Sequence, residues 1–314
     1  MTLKHAKTSA IADSGDSSLV QPSDWNSDHV INDGLVLPLE TVTAPAANTV
    51  KLFGRKVGGR MMPAFEGPSG LDSSLQPSLA RNKVAYWSPA GSSTTVTQIG
   101  MAAASAGTAT AAAVATTSLH TAMRRLDYLV TTAATTAVAY LFSSATSVNQ
   151  FFIGTAPLGG FHLVLRFGGA TGMTTSTHRF YAGMASGTSA AADSEPNSRS
   201  GIIGVGYGSA DPNWKIMHKT ASGTATEINL GASFPRQTTD RSKMYELALF
   251  CAPGGSSVFY EFTDLTTNAV AAGEINTNLP TATTLLKWMI AASVGGTSSV
   301  IGISVASAYV ETDY

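Results

Sequence analysis

Phe161-His162-Leu163-Val164-Leu165-Arg166-Phe167 decides how this chain of 314 residues is read. Four large apolar side chains, at 161, 163, 165 and 167, point one way. His162, Val164 and Arg166 point the other. Alternation at 180° per residue marks a strand with one buried face. The same period recurs further along. Val258, Tyr260 and Phe262 alternate with Phe259 and Glu261, and Leu286, Trp288 and Ile290 with Leu285, Lys287 and Met289. Ile301, Ile303 and Val305 carry the pattern on, with Tyr309 later in the segment, and Leu126, Tyr128 and Val130 begin it. Turn signals punctuate these runs: Pro157-Leu158-Gly159-Gly160, Gly168-Gly169, Ala210-Asp211-Pro212-Asn213, Pro253-Gly254-Gly255 and Gly295-Gly296. Many short strands at this spacing predict a jelly-roll-like β-sandwich over residues 118–314. The nearest approach to a helix, Leu119 to Leu126, amounts to one or two turns.

Residues 101–117 are Ala, Gly, Ser and Thr apart from Met101 and Val114. Ala favours helix while Gly and β-branched Thr oppose it. The segment reads as a linker, or as a stretch whose small side chains let several backbones approach closely in an oligomer. Residues 1–100 are rich in Pro, Gly, Asp and Ser, and prolines at 38, 45, 63, 68, 77 and 89 break long helices and central strands. This region is predicted to be extended, with short strands and tight turns, and to pack against other chains. The expected fold is therefore mainly β: an extended attachment region, a linker, and a sandwich.

Charged residues make up only 12% of the chain, and 19 Lys and Arg against 20 Asp and Glu give a net charge of −1. Nucleic-acid binders carry a clustered basic face, so no nucleic-acid partner is expected. A surface of small hydroxyls and methyls loses little side-chain entropy on packing and desolvates few charges, which suits a subunit of an assembly. No run of 18 apolar residues is present, so no membrane insertion is expected, and the N-terminus lacks the apolar core of a secretory signal. The single cysteine, Cys251, lies in the apolar stretch Tyr245–Cys251 and reads as a buried core residue, with a catalytic thiol as the remote second reading.

The chain has no His-Glu-x-x-His helix, no phosphate loop and no Gly-x-Ser-x-Gly elbow. The six histidines show no ligand spacing, and no cofactor or metal is expected. His162 and His178 fall in predicted strands, as outward polar groups or satisfied core histidines. A glycosidase needs two carboxylates flanking a bond. Asp193 with Glu195 reads as a solvated loop, and Glu261 with Asp264 spans a strand end. Gly204-Val205-Gly206-Tyr207-Gly208 reads as a glycine-rich strand packed closely on both faces. For sugar binding, an aromatic beside amide and carboxylate groups is the usual platform, which singles out Tyr207, Asp211, Asn213 and Trp214. Trp214 also alternates with Ile216, and core is the stronger of its two readings.

Pro22-Ser23-Asp24-Trp25-Asn26-Ser27-Asp28-His29-Val30-Ile31, preceded by Ser9-Ala10-Ile11-Ala12-Asp13, resembles a segment near the N-terminus of tail-fibre and other virion proteins of tailed phages. Asp24 and Asn26 suit Asx-type turns, and Trp25 offers an apolar anchor. Lys51-Leu52-Phe53, Gly59 through Phe65, and Tyr86-Trp87-Ser88-Pro89 resemble the next segment along the chain in such proteins. Gly201 through Tyr207, Asn213 through His218, Tyr245 through Phe250 and Val294 through Gly302 resemble the distal, lectin-like domain of phage tail proteins. The resemblance implies virion attachment through Trp25, Asn26, Asp28 and His29, and brings no catalytic residues. It implies a non-enzymatic virion component assembled in the bacterial cytoplasm, a homotrimeric tail fibre that contacts other tail or capsid proteins and a host surface glycan. A capsid decoration or head fibre is the alternative, and a polysaccharide-degrading tail enzyme the second.

Overall fold

The computed structural model describes residues 2–3, 29–30, 39, 45–46, 49–66, 72–74, 83–91, 93–143, 151–156, 158–187 and 191–313. The chain divides into two compact units: Met1–Arg55 with Pro63–Leu75, and Lys56–Met62 with Gln76–Tyr314.

In the first unit, β1 (Thr2–Leu3) pairs antiparallel with β2 (His29–Val30), Leu3 opposite His29. A second, three-stranded sheet runs in the order β3 (Lys51–Val57), β4 (Arg60–Glu66), β5 (Asp72–Ser74), and the tip of its β3–β4 hairpin, Lys56–Met62, belongs to the second unit. Its hairpin turns through Gly58 and Gly59, with φ of 53° and 87°. Positive φ at both central residues is the twist a two-residue hairpin needs, and glycine adopts it without a Cβ penalty.

The second unit is a sandwich of two antiparallel sheets. Sheet one runs β20 (Ala269–Ile275), β19 (Val258–Asp264), β18 (Tyr245–Cys251), β13 (Leu158–Thr171), β22 (Ser299–Asp313), β10 (Leu126–Ala134), β9 (Thr108–Ala111). β12 (Gly154–Thr155) adds to β13, and β6 (Lys83–Pro89) pairs with both β22 and β7 (Val96–Ile99). Sheet two runs β17 (Thr226–Asn229), β16 (Lys215–His218), β15 (Ile202–Tyr207), β14 (Arg179–Ala185), β21 (Lys287–Ser293), β11 (Val138–Phe142), β8 (Ala104–Ala106). The chain passes from one sheet to the other repeatedly, among other places between β10 and β11, β13 and β14, β17 and β18, β20 and β21, and β21 and β22. A single helical turn, α1 (Leu119–Ala122), carries a reciprocal cap in which Ser118 and Thr121 each satisfy the other's backbone N–H.

The alternation read from sequence sets the two inner faces. Phe161, Leu163, Leu165 and Phe167 of β13 enter the core, as do Val258, Tyr260 and Phe262 of β19 and Leu286, Trp288 and Ile290 before and along β21. Phe167 of sheet one stacks on Phe180 of sheet two at 5.6 Å between ring centroids. Along β22 the phase slips: Arg166 faces Ser307 while Phe167 faces Val305, so Ala306 is bulged. Ala308 and Val310 therefore point inward, and Tyr309, expected on the face of Ile303, points out.

Two expected boundaries move. Residues 101–117 are not a linker. β8 pairs with β11 and β9 with β10, each closing one edge of a different sheet. An edge strand needs only one ladder, and Thr and Ala supply enough contact for that role. The attachment region also ends before residue 100. Trp87 is fully buried, its ring 6.4 Å from that of Tyr128, and β6 runs along β22 from Lys83↔Thr312 to Trp87↔Ala308. The first unit closes at Leu75.

Candidate functional site

The polar end of the sandwich is built by the β14–β15 and β15–β16 connections and the turn between β21 and β22. Tyr207 and Trp214 bracket it, and both are fully buried. Trp214 keeps the inward phase of Ile216, and its ring meets Tyr207 at 4.6 Å, Tyr245 at 4.8 Å, Phe262 at 5.2 Å and Phe180 at 5.4 Å. Tyr207 and Trp214, offered by sequence as a sugar platform with core as the stronger reading of Trp214, are thus the centre of the aromatic core. The hydrophobic gain of burying the two rings outweighs their use at the surface.

Asp211 and Asn213 lie half-buried on the connecting loop. Asp211 accepts the Gly208 N–H at 2.7 Å and pairs with Lys215 Nζ at 2.6 Å. Lys215 also reaches Glu227 at 2.7 Å. Burial lowers the pKa of this ammonium, but the hydrogen bonds to Asp211 and Glu227 outweigh it, and the net direction is upward. Asn213 bridges Pro235 through its backbone. Arg236 donates to the carbonyls of Ser209 at 3.1 Å and Asp211 at 3.2 Å, and to that of His178.

Asp193 and Glu195 share one guanidinium. Arg179 donates from Nη1 to Asp193 at 2.7 Å and from Nε to Glu195 at 2.8 Å. Asp193 also accepts the N–H groups of Gly295 and Gly296, and Glu195 accepts the Ser209 hydroxyl at 2.6 Å. The loop expected to be merely solvated is pinned by these contacts. Chemically, the cluster is a rigid platform of carboxylates already engaged by cations and N–H donors, suited to holding hydroxyl groups at its rim. Asp264, of the other carboxylate pair, is buried and accepts the Thr266 N–H at 2.9 Å as a turn cap.

A serine, a histidine and an aspartate do meet elsewhere, which sequence spacing did not reveal. His120 Nε2 lies 3.1 Å from Ser304 Oγ, which donates to Asp127 Oδ1 at 2.6 Å. In nucleophilic relays the carboxylate orients the imidazole. Here it takes the serine hydroxyl instead, and Arg241 holds its other oxygen at 3.0 Å. All three side chains of the cluster are buried, so the arrangement is a core polar network. Cys251 is also buried, and burial pushes its thiol up to about 11, away from the reactive thiolate.

Of the attachment residues, Trp25, Asn26 and Asp28 lie outside the described residues; His29 opens β2 opposite Leu3. Among the described residues no group of three or more His, Cys, Asp or Glu is placed to hold a metal, and no helix is long and apolar enough to cross a membrane.

The two facing antiparallel sheets define the chain as a jelly-roll-like β-sandwich protein. No family model and no curated protein matches its sequence. Among solved structures it is similar to a protein of unknown function from Shewanella oneidensis MR-1 (12% identity, 76% of this chain and 95% of that one, TM-score 0.48). It is also similar to the lectin UEA-II complexed with galactose (12%, 75% and 100%, TM-score 0.44). A third is the CBM2 module of the evolved Dit of Lactobacillus casei BL23 phage J-1 (10%, 55% and 68%, TM-score 0.34). At these values the fold class rests on the chain's own sheets, and no ligand passes from these structures to this protein.

Proposed function

We propose that the chain is a structural component of a tailed-phage virion, a homotrimeric tail fibre whose first unit docks on the particle and whose sandwich meets a host surface glycan. The observation that carries this reading is the division of labour along the chain. The segment Pro22–Ile31, which resembles the attachment segment of phage virion proteins, precedes the sandwich along the chain, and the sandwich belongs to a compact unit of its own. Two further features support it. Few charges means little desolvation cost on assembly, and the carboxylate-rich loop end offers fixed acceptors to sugar hydroxyls. The reading is non-enzymatic.

Native mass spectrometry and adsorption competition test it together. A trimer at micromolar concentration that blocks phage adsorption to host cells is expected. A monomer that leaves adsorption unchanged overturns it, as does shortening of host capsule or lipopolysaccharide by the purified chain.

A further inference from the structure

Alternation along β19 sends Val258, Tyr260 and Phe262 into the core and turns Phe259 and Glu261 to the outer face of sheet one. The cross-strand register carries that face onto the edge strand β20, where Phe259 pairs with Glu274 and Glu261 with Ala272. Glu274 and Ala272 are exposed, while Phe259 and Glu261 are half-buried. The hairpin tip Lys56–Met62, which belongs to the same compact unit as these strands, is seated on this face. Its two glycines let it lie flush against the sheet. A Cβ at Gly58 would stand 2.9 Å from that of Ala248, and one at Gly59 would overlap the Phe259 side chain. The tip also brings the Lys56 ammonium to 5.7 Å from the Phe259 ring centroid.

Between the tip and the sheet edge lies a cavity of about 310 Å³, lined by Lys56, Gly59, Phe259, Glu261, Ala272 and Glu274. Small-ligand pockets run from about 300 to 1,000 Å³, and this one has room for roughly ten waters. Its walls are of three kinds. Phe259 and Ala272 offer apolar surface, Lys56 only donors, and the two glutamates acceptors. A small anion meets two carboxylates here, and a small cation meets the ammonium, so part of the wall opposes either charge. A neutral polyol with an apolar C–H face meets no such opposition. Its hydroxyls donate to the carboxylates and accept from the ammonium, and its C–H face packs on the ring and the methyl group.

We infer that this cavity binds one neutral sugar ring, with Glu274 and Lys56 holding its hydroxyls and Phe259 its C–H face. The inference rests on the reading of the sandwich as the glycan-contacting unit. It assigns that contact to the β19–β20 edge, on residues other than those of the carboxylate-rich loop end.

A saturation-transfer NMR titration of the full chain with D-glucose, D-galactose, N-acetyl-D-glucosamine and L-rhamnose tests it. Saturable binding of at least one of these sugars is expected. Glu274→Gln and Lys56→Met change exposed side chains and keep the thermal midpoint. Each weakens that binding about tenfold, the loss expected when a hydrogen bond to a charged group is removed. Phe259→Leu, which keeps an apolar side chain beneath the tip, weakens it as well. Equal binding by these variants and wild type overturns the inference and leaves the glycan reading of the sandwich standing. D-glucosamine bound about tenfold more tightly than all four neutral sugars would define an amine site instead and overturn it too. Absence of saturable binding by the four sugars overturns the inference, and the glycan reading falls with it when phage adsorption is also unchanged by the purified chain.

Discussion

His178 Nε2 lies 2.7 Å from the Tyr207 hydroxyl, and this bond joins the aromatic core of the sandwich to its polar end. The other imidazole nitrogen is 2.6 Å from the Thr175 carbonyl, so His178 is a satisfied core histidine. The geometry makes Tyr207 and Trp214 structural. Tyr207→Phe strips His178 of a buried partner and is expected to cost about 1–3 kcal/mol. Trp214→Ala empties the centre of the aromatic cluster and is expected to cost about 3–5 kcal/mol. Urea midpoints measure both. A Trp214→Ala protein of unchanged stability with lost host binding would restore that residue to the surface.

Acid is expected to weaken the fold before most carboxylates titrate. Burial, the leading cause at both sites, lowers His120 and His178 from 6.5 to about 4. In the unfolded chain both take up a proton near pH 6.5; in the folded chain they resist until about pH 4. Between those values the unfolded state binds more protons, so stability present above pH 6.5 is lost as pH falls. Each histidine contributes up to roughly 3 kcal/mol to that loss. Urea midpoints at pH 7.5 and pH 5.0 should differ clearly, and a His120→Asn, His178→Gln double variant should flatten the difference. Equal midpoints in the wild type would contradict the burial of these two rings.

The small-residue segment before α1 supplies a third test. Thr110 faces Asp127 and Ala109 faces Tyr128 across the β9–β10 ladder. Proline at the position whose N–H enters the ladder removes that bond. Of Ala109→Pro and Thr110→Pro, one at least is expected to lower stability by about 1–3 kcal/mol. A flexible linker would accept both without change in the melting temperature.

How far the fold was legible in sequence depends on the information each pattern encodes. Alternation in β13, β19 and β21 named the inward faces, because a half-buried strand writes its burial as period two. The edge strands β8 and β9 were hidden, since Ala and Thr that close one side of a sheet leave no apolar stripe. Trp87 and β6 were hidden for another reason: their partner, β22, lies more than two hundred residues away, and prolines on either side suggested an extended arm. The β22 bulge inverted Tyr309, because a period-two reading cannot register an inserted residue. At the polar end, sequence located the loop of Asp211 and Asn213 and, through the alternation with Ile216, the core reading of Trp214, but it offered Tyr207 as a surface ring. Arg199 carried no signal at all, because the Tyr181 ring that its guanidinium faces is distant in sequence.

Immunogold electron microscopy, with antibody to the sandwich, of phage particles made by cells carrying this gene tests the central claim most directly. Gold at the tail is the result expected of a host-attachment fibre. Gold spread over the head shell, or particles that carry none of the protein, would contradict it.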